Sequence, residues 1–194
     1  MDTNFPIITD RLIIRPISPD DSESIFAYRR DRLVNQYQGW IPENLEDTKA
    51  FILHKVSSVI DVPGTWFQFA LIEKNQNRLI GDIGIHFLNS PDNLQAEIGC
   101  TLDKNHHKMG YATEALTVIV DFLFNRLNKH RIMASIDPRN EKSIRLVERL
   151  GFRQEGHFRK SLLINNEWVD DLVFAILKEE WNPRQREAGC GGIR

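Results

Sequence analysis

The sequence has few cysteines, no excess of positive charge and no long apolar segment. Its 2 cysteines, Cys100 and Cys190, are spaced like neither a metal-ligand pair nor a disulfide framework. The 25 basic and 27 acidic side chains give a formal net charge of -2, so no basic excess remains to neutralise nucleic-acid phosphates. No stretch approaches the ~20 apolar residues that cross a bilayer, and residues 1–6 lack a secretion signal's pattern. We therefore expect a reduced, cytoplasmic protein without nucleic-acid or membrane partners.

The length and composition suit one soluble globular domain. With 194 residues, of which 41% are hydrophobic and 27% are charged, the chain can bury a substantial core in a single unit. We assign residues 1–183 to one domain and residues 184–194 to a flexible tail, which contains Gly189-Cys190-Gly191-Gly192. The sequence leaves the oligomeric state open, with a homodimer as one alternative.

The first part of the chain predicts one strand and two helices. Residues 7–15 are rich in β-branched side chains and predict a strand. Ser18 and Pro19 predict a helix over residues 19–30, because serine caps helices and proline suits the first helical position. Apolar side chains near helical spacing predict a second helix over residues 44–59.

The middle of the chain predicts three strands. Residues 66–73 and 78–87 read as a hairpin, and residues 94–102 as a further strand. Gly81 and Gly84 lie inside the second of these strands, where they indicate a bulge or a close backbone approach.

The last part completes an α+β pattern. Residues 112–127 carry a broad apolar stripe at helical spacing, and residues 131–136 form a strand candidate. A helix over residues 140–150 and a hairpin of residues 159–164 and 168–177 follow. The predicted fold is a mixed, mostly antiparallel sheet flanked by helices.

The most informative segment is residues 105–115, with the sequence NHHKMGYATEA. The start of a helix leaves N–H groups without partners and adds positive potential, and both features suit phosphate. Gly110 and Ala112 keep this turn free of bulk, and Lys108 adds a cation. The usual P-loop and Gly-x-Gly-x-x-Gly motifs are absent. A plain strand-to-helix connection that needs one glycine remains the alternative.

This segment resembles the diphosphate-binding loop of the GCN5-related N-acetyltransferase (GNAT) family, whose pattern is Gln/Arg-x-x-Gly-x-Gly/Ala. Gly110 and Ala112 match the last two fixed positions of that pattern. His107 stands where Gln or Arg is usual, but backbone N–H groups make most contacts in such loops. A protonated His107 would add charge, whereas a plain surface histidine is the alternative.

Three further segments carry the same resemblance. Glu97-Ile98-Gly99-Cys100 is similar to the family's fourth strand, and residues 140–152 resemble its Asn-x-x-Ser helix with the Leu-Gly-Phe ending. Residues 9–16, with the sequence TDRLIIRP, resemble the opening strand of the branch that contains ribosomal-protein N-terminal acetyltransferases. The resemblance spans residues 9–181.

The resemblance implies the GNAT acyl-CoA N-acyltransferase fold and acetyl-CoA as the cosubstrate. The family's fourth and fifth strands would splay apart and admit the pantetheine arm, which pairs with the backbone like an added strand. The residues thus implied in cofactor binding are Cys100, Thr101, Leu102, His107, Lys108, Met109, Gly110, Tyr111, Ala112, Thr113 and Asn140. No metal is expected, because His106 and His107 lack partners at zinc-ligand spacing.

Two side chains are candidates for proton transfer. Glu97 is the candidate general base, and an ion pair with a nearby Arg or Lys is the alternative. Val147 occupies the position where many relatives carry a tyrosine acid, whereas Ser143 resembles the serine that some ribosomal-protein acetyltransferases use as acid. Hydrogen bonding near the Asn140 cap is the alternative for Ser143, and Asn140 is both a cap and, by analogy, a cofactor contact.

The sequence therefore predicts an N-acetyltransferase that moves an acetyl group from acetyl-CoA to a primary amine by direct attack on the thioester. A protein N-terminal α-amine is the first acceptor candidate and a small-molecule amine the second. A non-catalytic acyl-CoA-binding module is the alternative function. The first two helices and the terminal hairpin would build the acceptor groove, in which Tyr37, Trp40 and Trp66 either line the pocket or belong to the core.

Overall fold

In the part of the chain that the structure describes, eight strands form a single mixed sheet with two helices against each face. The computed structural model of the protein describes residues 5–90 and 92–182. The strands are β1 (Ile7–Ile8), β2 (Leu12–Pro16), β3 (Trp66–Glu73), β4 (Arg78–Phe87), β5 (Gln95–Leu102), β6 (Arg131–Ile136), β7 (Arg153–Ile164) and β8 (Glu167–Leu177). The helices are α1 (Ser22–Arg29), α2 (Leu45–His54), α3 (Tyr111–Asn125) and α4 (Glu141–Arg149).

The order of the strands confirms the predicted fold class. It is β1-β2-β3-β4-β5-β6-β8-β7, and each neighbouring pair is antiparallel except β5 and β6, which are parallel. The helix α3 makes the crossover that this parallel pair requires. The predicted flexible tail, residues 184–194 with Cys190, lies outside the described residues.

The strand predicted over residues 7–15 is wrong, because the chain folds there into a tight hairpin of β1 and β2. The Thr9 N–H donates to the Leu12 carbonyl at 3.0 Å, and the Leu12 N–H donates to Thr9 Oγ1 at 2.9 Å. Such side-chain bonding to the backbone competes with a continuous strand. The turn leaves Asp10 and Arg11 at its tip.

Both N-terminal helices are shorter than their predicted spans. Residues 19–21 form a 3-10 turn ahead of α1. The helix α2 begins after Asn44, whose Oδ1 accepts from the Asp47 N–H at 2.9 Å, and it ends at His54 rather than residue 59. Val56 forms a parallel bridge with Trp66, which draws the chain out of the helix toward the sheet.

Two apolar clusters cover the two faces of the sheet. The helices α1 and α2 bury Ile25 and Ile52 against β3 and β4. The larger cluster lies under α3 and α4 and includes Leu116, Phe124 and Val147. The apolar stripe predicted for residues 112–127 is therefore the face that α3 buries.

The glycines of β4 mark close approaches, as predicted. The register between β3 and β4 shifts between Leu71 and Ile72. A Cβ on Gly81 would lie 2.3 Å from the Thr101 carbonyl oxygen, and a Cβ on Gly84 would lie 2.6 Å from Gln68 Oε1. No side chain fits at either position without displacing its neighbours.

The terminal hairpin turns as predicted but is longer. Asn165 and Asn166 have φ values of 51° and 63°, and positive φ at both central residues is what a type I′ turn requires. The strand β7 begins at Arg153 rather than residue 159. Its first half is an exposed edge without apolar alternation, so the sequence carried no strand signal there.

Candidate active site

An opening separates β5 from β6 near the middle of the sheet. The two strands are in register only where residues 95–97 lie opposite residues 131–133, and Glu97 and Met133 form the last pair. Beyond this pair, residues 98–102 and 134–136 continue as strands without pairing to each other. The strand β5 contains the segment that resembles the fourth strand of the GNAT family, and it is the fifth strand here because the N-terminal strand is divided into β1 and β2.

Backbone polar groups of β5 line one side of this opening. The Asp103 N–H donates to the Ile80 carbonyl on β4 at 2.8 Å, and the direction of backbone groups alternates along an antiparallel strand. The backbone of Thr101 therefore faces β4, whereas the N–H groups of Cys100 and Leu102 face the opening. The His107 Nε2 lies 3.0 Å from the Leu102 carbonyl oxygen and ties the following loop to the same edge.

The loop before α3 presents an uncapped helix terminus to solvent. Lys108 and Gly110 have left-handed φ values of 62° and 83°, and residues 108–110 are exposed. Gly110 occupies the N-cap position and has no side chain to occupy the first N–H groups of the helix, those of Tyr111, Ala112 and Thr113. A glycine cap of this kind leaves a cradle for an anion, so the predicted loop residues fit a diphosphate.

The predicted residues of this loop do not all contribute in the same way. The Tyr111 side chain is buried in the core, so its N–H is the group available at the terminus. Met109 is exposed, and its carbonyl oxygen accepts from Arg11 Nη1 at 2.7 Å. The sequence singled out the TDRL motif but gave Arg11 no part in the site.

Glu114 connects the first turn of α3 to the β1–β2 hairpin. Its Oε1 accepts from Thr9 Oγ1 and from the Arg11 N–H, and its Oε2 accepts from Arg11 Nε at 2.6 Å. Burial alone would raise the pKa of this carboxyl, but the hydrogen bonds from Thr9 and Arg11 lower it below its ordinary value. Glu114 is therefore an ionised, paired carboxylate beside the helix terminus.

Glu97 lies on the face of β5 that is opposite to the α3 core. Its side chain is 29% exposed, and Oε2 lies 3.8 Å from His86 Nδ1. Burial raises the pKa of Glu97 above its ordinary value, His86 opposes this, and Asp171 raises the pKa further. The His86 ring stacks on Trp66 at 4.8 Å between ring centroids. Glu97 thus stands where the β5–β6 register ends, with a carboxylate that holds a proton more readily than usual.

Gly99 leaves open space beside Glu97. No heavy atom lies within 4 Å of a Cβ built on Gly99, and its φ is outside the left-handed range. Glu97 and Thr101 flank it on the same face of the strand. A glycine in a strand interior costs about 0.5–1 kcal/mol relative to alanine, and neither backbone conformation nor packing requires one at this position. Its effect is to keep the surface beside the carboxylate free of a side chain.

A buried polar network holds α1 and the loop after it against this face. The Asp82 carboxylate accepts from the Tyr28 hydroxyl and from Arg29 Nη2, the latter at 2.6 Å. Burial and Asp82 raise the pKa of Tyr28 well above its ordinary value, so this hydroxyl remains a donor. Gln38 joins the network to the strand, because it accepts from Arg29 Nη1 at 2.8 Å and donates to Thr101 Oγ1 at 2.6 Å.

The aromatic residues proposed for the acceptor groove lie on this side of the molecule in different settings. Trp40 stacks on Phe51 of α2 at 4.3 Å, and Tyr37 lies 6.0 Å from the Arg139 guanidinium. Trp66 is the most exposed of the three.

The residues of α4 take the positions that the sequence indicated. Asn140 caps the helix, and its Oδ1 accepts from the Ser143 N–H at 3.2 Å. Ser143 is half-buried one turn before Val147, which is buried in the core. Cofactor contact by Asn140 and acid catalysis by Ser143 stay predictions.

Two further chemistries find no support in the described part of the chain. Burial raises the pKa of the Cys100 thiol to about 12, so this cysteine is a poor nucleophile near neutral pH. Within residues 5–90 and 92–182, no cluster of three or more His, Cys, Asp or Glu side chains could hold a metal ion.

None of the helices in these residues is long and apolar enough to span a bilayer.

Comparison with known proteins places this geometry among acetyltransferases. The family described as "Acetyltransferase (GNAT) domain" matches residues 11–153. The uncharacterized N-acetyltransferase YnaD of Bacillus subtilis is 35% identical over 179 residues, which is 91% of this chain and 99% of that protein.

Solved structures extend the match to the whole fold. An acetyltransferase (GNAT family) from Bacillus anthracis superposes with a TM-score of 0.78 at 31% identity, covering 91% of this chain and 100% of the other. The ribosomal-protein-S5-alanine acetyltransferase from Vibrio fischeri superposes with a TM-score of 0.76 at 26% identity, covering 93% of this chain and 100% of the other.

Proposed function

The chain belongs to the GNAT family and is an acetyl-CoA-dependent N-acetyltransferase, and from this premise we propose that it acetylates the α-amine of a protein N-terminus. One observation carries the proposal. The strand opening, the free terminus of α3 and the carboxylate of Glu97 all belong to one stretch of chain, in which pairing with β6 stops at Glu97 itself.

Backbone groups would make most of the contacts with the acyl donor. The N–H groups at Tyr111, Ala112 and Thr113 would hold the diphosphate, with Gly110 leaving room for it. The backbone edge at Cys100 and Leu102 would pair with the pantetheine amides, as an added strand does. This division explains why a site for a highly charged molecule needs few charged side chains.

The reaction joins the acceptor nitrogen to the thioester carbon and releases a thiol. The amine must lose a proton to attack, and Glu97 accepts that proton directly or through one water. A backbone N–H of β5 at the opening would stabilise the negative charge that develops on the thioester oxygen, a contribution on the order of 3 kcal/mol per donor in studied enzymes. The departing sulfur takes a proton, for which Ser143 is the candidate donor.

The pKa of the acceptor favours an α-amine over a lysine side chain. An α-amino group has a pKa of about 7.7–8.0, whereas lysine titrates near ~10.4. A glutamate, even with its pKa raised by burial, removes a proton from an α-amino group far more readily than from a lysine side chain. The similarity to a ribosomal-protein-S5-alanine acetyltransferase supports the same class of acceptor.

A small cationic amine is the second candidate for the acceptor. Asp171 lies close enough to Glu97 to raise its pKa, and the Trp66 ring is exposed nearby. Two carboxylates and an open aromatic face suit a protonated amine chain.

Thiol release from acetyl-CoA tests both candidates together. The acceptors are peptides with a free N-terminal alanine or serine, the same peptides with a blocked N-terminus and a free lysine, and a polyamine such as spermidine. We expect the free N-terminal peptides to give the highest kcat/KM. A preference for the polyamine selects the second candidate, and binding of acetyl-CoA without release by any amine would overturn the catalytic proposal.

A further inference from the structure

We propose that Arg11, from the turn between β1 and β2, is a positioning residue of the donor site that also presents a guanidinium N–H to the diphosphate. The inference rests on the proposed binding of acetyl-CoA at the start of α3. It gives the TDRL motif a part in the reaction, although that motif lies about 100 residues away from the loop in sequence.

Arg11 bonds both sides of the loop. Its Nη1 donates to the Met109 carbonyl at 2.7 Å, immediately before the glycine, and its Nε donates to Glu114 Oε2 at 2.6 Å, one turn into α3. The guanidinium also lies 4.4 Å from the centre of the Tyr111 ring, which is buried beneath it. These contacts fix the last residues of the loop relative to the first turn of the helix.

The remaining nitrogen of Arg11 points to the place where the anion would bind. A Cβ on Gly110 would lie 3.2 Å from Nη2, so the guanidinium borders the space that this glycine leaves open. Among the residues that the structure describes, none accepts a hydrogen bond from Nη2. The side chain is 42% exposed, so a ligand can reach this nitrogen.

Arg11 also cancels a charge that would otherwise repel the ligand. Glu114 is ionised in the first turn of α3, which is the turn that would receive the diphosphate. Its pairing with Arg11 leaves the terminus attractive to anions. Arginine suits this place because its rigid planar fork directs five N–H donors toward a carboxylate, a carbonyl and an anion at once, whereas lysine carries three donors on a single nitrogen.

The test compares two donors, acetyl-CoA and S-acetylpantetheine, which lacks the diphosphate. We expect Arg11→Met to raise the KM for acetyl-CoA about 10- to 100-fold, the range for loss of a charged hydrogen bond, and to change the KM for S-acetylpantetheine less than about twofold. Arg11→Lys should recover part of the loss. The control is Arg153→Met, which removes an arginine of similar exposure on β7 that is paired with Glu155 and Glu180.

A double variant separates direct contact from charge cancellation. Arg11→Met leaves the negative charge of Glu114 without a cation, whereas Arg11→Met with Glu114→Gln removes both charges. The double variant also provides a test protein if the single variant does not fold. We expect the double variant to keep the selective loss of acetyl-CoA affinity. Return to the wild-type KM would overturn the direct contact, and equal losses with both donors would reduce Arg11 to a structural residue. Failure of the wild type to use acetyl-CoA would instead overturn the proposed function itself.

Discussion

His86 and Glu97 face each other across the β4–β5 register, with Nδ1 of the imidazole 3.8 Å from Oε2 of the carboxylate. Burial and Asp171 raise the pKa of Glu97 and His86 lowers it, and the net pKa is above the ordinary value. A base acts only when it is deprotonated. The kcat at saturating substrates should therefore fall as the pH drops through this raised pKa. The acidic limb of the pH profile should have its midpoint above the pKa of ~4.3 that an unperturbed glutamate has.

Substitution of each partner should alter that limb differently. Glu97→Gln should lower kcat about 100-fold and remove the limb, because the proton acceptor is lost. His86→Asn should move the limb to higher pH, because the group that lowers the pKa of Glu97 is gone. Both effects are measured as kcat against pH, which reports groups in the bound complex. A limb that persists in Glu97→Gln would exclude this carboxylate as the base.

Gly110→Glu should abolish the stabilisation of the protein by acetyl-CoA. A ligand at 100 times its dissociation constant stabilises the folded state by about 2.7 kcal/mol, which thermal unfolding detects easily. A glutamate at this position fills the cradle, repels phosphate and strains a backbone with a φ of 83°. Gln154→Glu adds the same charge at an exposed position of β7 and should leave the ligand-induced shift in Tm intact. A normal shift in Gly110→Glu would locate the diphosphate elsewhere.

Gly99→Val should affect the acceptor and spare the donor. A Cβ at this position meets no neighbour within 4 Å, so we expect valine to leave the fold unchanged or slightly more stable while it fills the open surface beside Glu97. We expect the KM for the amine to rise about tenfold and the KM for acetyl-CoA to stay within about twofold, measured by steady-state kinetics. Gly81→Val is the contrasting variant, because its Cβ would lie 2.3 Å from a carbonyl oxygen and the protein should lose stability. An unchanged acceptor KM in Gly99→Val would show that the amine approaches by another route.

Ser143→Ala separates the two interpretations of that serine. The cap bond runs from the Ser143 N–H to Asn140 Oδ1, and alanine keeps this N–H. The Tm should therefore stay constant, whereas kcat should fall about tenfold or more if the hydroxyl protonates the leaving sulfur. Asn140→Ala should instead lower stability by about 1 kcal/mol through loss of the cap. An unchanged kcat in Ser143→Ala would leave the sulfur without a side-chain acid from this helix.

The sequence predicted the elements whose signals are local. The bounds of β3, β4 and β6 and the turn at Asn165 and Asn166 followed from short strand-like segments and from the turn residues that bound them. The loop before α3 was found from one glycine and the strong helix after it. In each case the deciding residues lie within a few positions of the feature.

The elements that the sequence missed depend on contacts between distant segments. The hairpin at Thr9 is held by Glu114, and the early end of α2 follows from a bridge between Val56 and Trp66. The pairing of Arg11 with Met109 joins residues 98 positions apart. The exposed first half of β7 showed no periodicity because neither of its faces is deeply buried. None of these arrangements leaves a pattern in a single window of sequence.

The proposed donor site, which is lined by main chain, has a consequence for how such proteins diverge. At positions 100 and 102 any residue except proline would supply the same backbone N–H to the opening, so donor binding would depend on the spacing of the two strands more than on the chemistry of those side chains. Selection for donor binding would then act on the shape of the sheet, on a few glycines and on an arginine. The acceptor face, which is built from side chains, could change independently. A lineage could then gain specificity for new amines without losing its binding of the acetyl donor.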